Sequence, residues 1–270
     1  MLVTLCLTVV EALEATRILL PPPPRLRYSS SMRKMFAGIK SLARKLPRVR
    51  SVIIKLRDAF LLFALGGQAG VFDHIRKRNR WGSEESLSGP GSTLQVTEVV
   101  RRELPIILHD FNVVRILDAP CGDFNWMKTV SLPDTVWYHG GDIVQALVDT
   151  NNKNYLKARR SFGSIDITRD QLASADLWLC RDCLIHLSNN DVAKVIANFK
   201  RSSIKYLLTT TYPQCPANAD IFTGGFREIN LELPPFSFPK PLRCICEGNM
   251  EQGGPHLGLW TREQILDATQ

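Results

Sequence analysis

An α/β fold is predicted for this chain, a mostly parallel sheet covered by helices on both faces, and three features predict it. Beyond residue 110, short apolar runs alternate with stretches of helical period. Two of those runs, starting at Val114 and Val136, end in the aspartates Asp118 and Asp142 and open at once onto a turn or helix signal. The last two runs flank the turn-rich Gly248 to Gly254 and read as a hairpin.

In chain order, a helix is expected near 93–109, with Ser92 or Thr93 as its N-cap. Strands follow near 113–118, 136–142, 161–166, 176–181 and 203–211, each a short apolar run bounded by turn residues. Between them the helical period returns near 143–154, 168–174 and 189–201. After Pro213 comes an irregular segment rich in Pro, Asn and Gly, to about 240, and then strands near 242–247 and 257–261.

The first functional signal sits where the first strand ends. Val114-Arg-Ile-Leu-Asp-Ala-Pro-Cys-Gly-Asp-Phe124 passes from strand into a tight turn, the place where open α/β sheets bind nucleotide-like ligands. A dinucleotide turn would put glycines near 120, 122 and 125, and here those positions are Pro120, Gly122 and Asn125. One glycine leaves the backbone little room to cradle a pyrophosphate, so a nucleoside without phosphates, such as S-adenosylmethionine, suits the turn better than NAD. Asp142, 24 positions after Asp118, can accept hydrogen bonds from both hydroxyls of a ribose. The plainer reading is an ordinary strand, turn and helix, with Asp118 as a cap and Gly122 relieving a positive φ.

Length and composition fit a sizeable α/β core: 270 residues, 44% of them hydrophobic. The net charge of +8 is unevenly placed. Residues 1–58 hold 12 Lys and Arg against Glu11, Glu14 and Asp58, whereas the rest holds 22 basic and 23 acidic groups. A basic N-terminal extension, 1–58, partly disordered or helical, is therefore expected ahead of a near-neutral catalytic domain, 59–270. The overall basicity says little about nucleic acid. Leu2–Val10 is too short for a transmembrane span and lacks the basic flank of a secretory signal. Pro21–Pro24 reads as a rigid linker. Arg25–Arg57 contains no acid. It reads as an organellar transit sequence, as a basic helix on an anionic membrane surface or an RNA, or as a helix packed on the domain edge. Ala59–Leu65 reads as a short buried helix, and no transmembrane segment is expected.

Seven cysteines, odd in number and irregular in spacing, do not make a secreted disulfide scaffold. They point to reduced thiols in an intracellular, cytoplasmic protein, with organellar targeting left open. Cys180-Arg-Asp-Cys183, with Cys244 and Cys246, repeats no standard ligand spacing, so no metal is expected.

Read together, several words of the chain resemble the class I S-adenosylmethionine-dependent methyltransferases, and one branch of them in particular. They are Trp81-Gly82, Ser88-Gly-Pro-Gly-Ser92, Asp118-Ala-Pro-Cys-Gly-Asp123 and Asp176-Leu-Trp-Leu-Cys-Arg-Asp-Cys183 with His186. Thr209-Thr-Thr-Tyr-Pro213, Phe226-Arg227 with Asn230, and Leu257-Gly-Leu-Trp260 complete the set, across about residues 70 to 265. Pro120 and Phe124 depart from the family's glycine-rich turn. The resemblance implies a Rossmann-like, seven-stranded, mostly parallel sheet with an antiparallel last strand. It implies transfer of the sulfonium methyl, by in-line displacement, to an O or N acceptor that the sequence does not identify. The alternatives are a non-catalytic S-adenosylmethionine-binding scaffold, an RNA-directed enzyme using residues 25–57 as an arm, and an NAD-dependent oxidoreductase.

By the same resemblance, Asp118 and Gly122, with the backbone of Ala119, Pro120 and Cys121, hold the methionine part of the cofactor. Asp142 takes the ribose, Ile143 packs on adenine, and Asp166 and Ile167 meet the adenine edge, although Asp166 could equally cap the next turn. Arg181 and Asp182 face the methyl and the acceptor, with Arg181 pairing Asp182 or binding an anionic group. Asp182 and His186 are the candidates for base and acceptor orientation; otherwise His186 is a helix-terminal ring satisfied by backbone. The fifth strand ends in Thr209-Thr-Thr-Tyr-Pro213 and not in Asn/Asp-Pro-Pro-Tyr, which argues against methylation of base or glutamine amino groups. Tyr212, Phe226, Arg227 and Asn230 are expected in an acceptor lid, the alternative being a surface loop anchored by its phenylalanines.

Overall fold

Seven strands make one sheet: β1 (Arg115–Asp118), β2 (Trp137–Asp142), β3 (Arg160–Ser164), β4 (Leu177–Cys180), β5 (Tyr206–Thr211), β6 (Arg243–Cys246) and β7 (His256–Thr261). The structure is a computed structural model describing residues 62–247 and 254–268. It divides into units Met1–Gly67 and Gln68–Gln270, and the sheet belongs to the second. Strand order is β3-β2-β1-β4-β5-β7-β6. The first five strands run parallel, and β7 enters antiparallel between β5 and β6. This is the Rossmann-like, seven-stranded sheet expected, closing hairpin included. The order reverses between β1 and β4, so connections leave in opposite directions there and open a crevice at the carboxyl ends.

Among the described residues, five α-helices accompany it: α1 (Gly67–Lys77), α2 (Glu98–Asp110), α3 (Gln145–Tyr155), α4 (Asn189–Arg201) and α5 (Arg262–Asp267). Successive strand side chains point to opposite faces, and the apolar residues divide accordingly. Ile116, Leu177, Leu179, Leu208, Leu257 and Leu259 pack with Val100, Leu104, Ile107 and Leu108 of α2 and Val148 of α3. Leu117, Trp178, Leu207 and Trp260 pack with Val192, Val195, Ile196 and Phe199 of α4 and Ile265 of α5. Burial on both faces is why these strands read as continuous apolar runs. Trp178 and Trp260 donate their indole N–H groups to the carbonyls of Ala119 and Pro239, so their bulk is buried with no donor stranded.

Two expected helices are corrected. In place of the helix expected near 168–174, residues 167–169 form a turn, and 171–175 are irregular. Asp166 Oδ1 accepts from the Thr168 N–H (3.0 Å) and hydroxyl (2.6 Å), and the Asn198 side-chain amide of α4 takes the carbonyls of Ile167 (2.9 Å) and Asp170 (2.8 Å). With those carbonyls committed, the turn cannot propagate as a helix. The helix expected from 93 begins at Glu98, after a separate turn over 94–97. Thr93 Oγ1 accepts from the Val96 N–H at that turn's start, while Ser92 belongs to the preceding helical turn, Pro90–Ser92. Of the run Ala59–Leu65, residues 62–64 are helical and Phe63 is exposed, so the expected burial does not hold there. The features expected over residues 2–57 and the turn at 248–253 lie outside the described residues. No helix among the described residues is long and apolar enough to cross a membrane.

Between β1 and β2 the chain makes only one helical turn, Met127–Thr129, and the connection is held by Phe124. That residue has φ +60°, the left-handed conformation for which glycine is suited. Its ring is fully buried against Tyr138, Tyr155 and Phe162, with centroids at 5.3, 5.2 and 5.1 Å. Burial of an aromatic ring outweighs a backbone cost of about 1–2 kcal/mol, which is how a phenylalanine stands in a glycine position. Phe124→Ala is expected to lower stability by about 3–5 kcal/mol in urea denaturation. Phe124→Gly should be the more stable of the two by roughly 0.5–1 kcal/mol, because it relieves the positive φ. An alanine variant more stable than the glycine one would show that the backbone here is not left-handed.

Candidate functional site

A cleft opens at the carboxyl ends of the parallel strands, and each wall is set by a chain exit from the sheet. Asp118, Pro120, Cys121 and Gly122 leave β1; Asp142, Ile143 and Val144 leave β2. Ile165 to Thr168 follow β3, and Arg181, Asp182, Cys183 and His186 follow β4. Gln68, Phe72 and Arg76 of α1, then Trp81, Leu87, Ser88 and Ser92, close the outer side.

The turn after β1 spends its own hydrogen-bond donors. Cys121 N–H goes to the Gly141 carbonyl (2.8 Å), Gly122 N–H to Asp142 Oδ2 (3.0 Å) and Asp123 N–H to Ser88 Oγ (3.1 Å). Phe124 N–H returns to the Cys121 carbonyl, and Asn125 N–H meets Asp123 Oδ1. No backbone donor from Cys121 to Asn125 remains to cradle a phosphate. Only glycine fits at 122: φ is +56°, and an added Cβ would stand 2.1 Å from Ser88 Oγ.

Asp118 and Asp142 are both buried. Burial raises the Asp118 carboxyl to about 7, against the Tyr138 hydroxyl donated to its Oδ2 at 2.5 Å and with the neighbouring Asp142 adding to the rise. Burial likewise raises Asp142 to about 6, opposed by the N–H groups of Val144 and Gly122. Each Asp142 oxygen accepts one of those N–H groups, which leaves lone pairs on both for a ligand. Ile143, Val144, Leu147, Ile165 and Ile167 give the adjoining part of the cleft apolar walls. Asp166 lies there too, with its carboxylate capping the turn at Thr168 and pairing with Arg169.

Arg181 is the buried cation of the floor. Its Nε donates to Glu247 Oε1 (2.8 Å), its NH2 to the Gly91 carbonyl (2.8 Å), and its NH1 pairs with Asp182 Oδ2 (3.0 Å). Burial opposes the charge, but Asp182 and Glu247 outweigh it and hold the guanidinium above its ordinary value. Burial also raises Glu247 to about 7, despite Arg181 beside it. Asp182 stands at φ +49°; its N–H donates to Thr210 Oγ1, which donates back to Asp182 Oδ1. His186 closes a single helical turn, Leu184–His186, with Nδ1 at 2.7 Å from the Gly225 carbonyl. A carbonyl only accepts, so Nδ1 carries the hydrogen and Nε2 keeps its lone pair. Burial lowers the His186 pKa from 6.5, which favours that neutral form.

The other expected residues lie elsewhere. Ala119 is fully buried, with its carbonyl given to Trp178. Tyr212, Phe226, Arg227 and Asn230 are not on the cleft wall. The Arg227 guanidinium donates to the carbonyls of Ala219 and Leu184 and to Asn189 Oδ1. Asn230 donates to the carbonyls of Pro213 and Cys215. Arg227 fastens the segment after β5 to α4, Asn230 ties that segment to itself, and Phe236 and Phe238 anchor it in the core. Phe226 is exposed, its ring 6.0 Å from that of His186. Tyr212 is half-buried, and burial pushes its hydroxyl up to about 12. The expectations from sequence omitted Tyr138, Glu247, the wall from α1, and Asp123, which holds Ser86, Leu87 and Ser88 against the β1 turn. Of the outer wall, Trp81, Ser88 and Ser92 carried a signal, as parts of motif words. Among the described residues no group of three or more His, Cys, Asp or Glu is placed to hold a metal ion.

A carboxyl raised in the folded state keeps its proton up to about pH 7, whereas unfolded Asp118 loses it above 3.8. Its contribution to stability is therefore complete below 3.8 and is lost as pH rises through 7. Asp118→Asn preserves an acceptor for Tyr138 and removes the buried charge. The variant should melt several degrees above the parent at pH 8 and match it near pH 4. Equal melting temperatures at both pH values would mean that Asp118 is not held protonated.

No family model matches the chain, and no curated protein matches it in sequence. Solved structures align with it at low identity. The methyltransferase domain of bacterial CtHen1 is 14% identical, covering 63% of this chain and all of that one, with a TM-score of 0.47. Magnesium protoporphyrin IX methyltransferase from Synechocystis PCC 6803, solved with S-adenosylhomocysteine, is 14% identical over 69% of this chain and 93% of its own, with a TM-score of 0.46. The [4+2]-cyclase SpnF is 16% identical over 61% and 68%, also at 0.46. Likenesses of this size assign neither a ligand nor a reaction to this chain.

Proposed function

We propose that this chain is an S-adenosylmethionine-dependent methyltransferase, its cofactor lying across the carboxyl ends of β1 to β3 and its acceptor meeting the methyl beside Asp182 and His186. One observation carries the reading: buried acids end two adjacent strands while the turn between them has no free backbone donor. A pyrophosphate needs such donors, and a cationic nucleoside needs the acids instead. The donor set fits that cofactor. Asp142 has lone pairs for ribose hydroxyls, the isoleucine walls suit a purine, and Asp118 sits where a positive amino acid end would relieve its buried charge. Gly122 and the backbone of Pro120 and Cys121 border that end, with Arg181 opposite for a carboxylate. Residues 1–58 are assigned to a basic extension outside this machinery.

When bound, the cofactor supplies a methyl carbon made electrophilic by its sulfonium. The protein's part is alignment, exclusion of water and removal of one proton. His186 Nε2 takes the hydrogen of the acceptor's O–H or N–H. The lone pair so freed would be the nucleophile toward the methyl that the bound cofactor would supply, with a neutral thioether as the leaving group. Asp182, fixed by Thr210 and Arg181, orients the acceptor.

Calorimetry should show S-adenosylmethionine binding in preference to NAD. Asp142→Ala should weaken it by about 1–3 kcal/mol, the cost of leaving hydroxyls unpaired; unchanged affinity, or preference for NAD, would overturn the assignment. Binding without S-adenosylhomocysteine formation over a broad acceptor panel would favour the non-catalytic scaffold. In an NMR titration the His186 ring should remain neutral to a pH below the ordinary 6.5, so the acid limb of any rate profile lies below that value too. A midpoint above 6.5 would remove His186 as the base.

A further inference from the structure

The strand ends account for one part of the cleft, and α1 with the turn after it builds the rest. Phe72, Trp81, His186 and Phe226 form a continuous series of rings, with centroids 6.4, 5.2 and 6.0 Å apart. The Trp81 and His186 planes are inclined by only 30°. Phe72, Trp81 and His186 face the cleft, so the surface beside the proposed base is aromatic, with Phe72 tilted 45° from the Trp81 plane. The same stretch carries an excess of cations. Arg76 lines the cleft, and Lys77, Arg78 and Arg80 follow it. Asp73 pairs with Arg76 at 2.8 Å and with Lys77 at 2.6 Å, so one acid is shared between two cations. Among the described residues no acid pairs with Arg78 or Arg80. Their field also reaches His74, where it adds to burial in lowering the imidazole pKa. An aromatic wall with Arg76 beside it, at the start of a basic stretch, suits a ligand with a ring and an anion.

We propose that the methyl acceptor is a small planar ring bearing a carboxylate or phosphate, its face against Trp81 with Phe72 at its edge, its charge toward Arg76, and its hydroxyl or amine toward His186 Nε2. The proposal rests on the methyltransferase reading for the identity of the acceptor site, and on the ring series and unpaired arginines for its chemistry. Aromatic stacking supplies affinity for the ring, and the guanidinium discriminates acids from neutral analogues.

The test uses the full chain with S-adenosylhomocysteine bound. 4-Hydroxybenzoate, indole-3-carboxylate and their neutral amides are titrated by calorimetry, alongside a short oligouridylate. The acids should bind at least tenfold more tightly than the amides. Trp81→Leu and Arg76→Gln should each weaken the acids at least fivefold while changing S-adenosylhomocysteine affinity less than twofold. Arg78→Gln with Arg80→Gln, which leaves the wall untouched, should weaken the acids at low salt and less at high salt. Equal binding of acids and amides, insensitivity to these variants, no binding of any acid by protein that holds S-adenosylhomocysteine, or binding of the oligonucleotide alone would each overturn the proposal. Failure of S-adenosylhomocysteine itself to bind would defeat the methyltransferase reading. The comparison of acid with amide in cofactor-free protein would then still decide the ring pocket.

Discussion

The hydrogen bond from Gly122 N–H to Asp142 is the contact on which the rest of the site depends. It joins the turn after β1 to the end of β2 and removes the donor that a phosphate would seek. It holds Gly122 at the positive φ that lets Ser88 approach, and Ser88 in turn takes the Asp123 N–H. Asn151 of α3 closes the arrangement by donating to the Gly122 carbonyl at 2.8 Å. The turn is thus rigid from hydrogen bonds alone, while the acids on either side of it are left short of positive partners. A site built in that way asks its ligand for cationic charge and hydroxyl donors and offers nothing to a phosphate.

Arg181 performs the corresponding work on the other side of the crevice. It ties the exit of β4 to the end of β6 through Glu247 and to the pre-sheet segment through Gly91. Its guanidinium also lies 5.6 Å from the Trp126 ring, beneath the β1 connection. One buried cation between two carboxylates leaves the floor negative, and the second oxygen of Glu247 has no hydrogen-bond partner. Such groups are costly in an apolar interior unless a function keeps them there. Stability and ligand affinity therefore pull against each other at this floor, which is where a binding site differs from a well-satisfied core.

The sheet was legible because its strands are buried on both faces, which writes unbroken apolar runs into the sequence. Asp118 and Asp142 were legible because an acid at the end of such a run has little reason to be there except a turn or a ligand. The helix expected at 168–174 was not, since its carbonyls are claimed by Asn198, some thirty residues away, and no local pattern records that. Arg227 and Asn230 misled for a related reason: a polar residue in a long loop looks the same whether it greets a ligand or fastens the loop. Tyr138 and Glu247 gave no signal because their roles arise from pairings across the sheet.

The outer wall completes the chemistry that the strand ends begin. In an open sheet the carboxyl ends present ligand-binding groups in one row, which suffices for an elongated nucleoside but leaves the reacting end open to water. Residues 68–92 lie before β1 in sequence, and they fold back over that end through Asp123 and Arg181. The same fold-back sets Trp81 against His186. The ring is thereby held from one side by an indole and from below by the Gly225 carbonyl, which fixes both its plane and its tautomer. On the proposed mechanism, a base oriented in this way loses little freedom when an acceptor arrives. Residues 68–92, of which only Trp81-Gly82 and Ser88–Ser92 stood out in the sequence, thus form the outer side of the cleft.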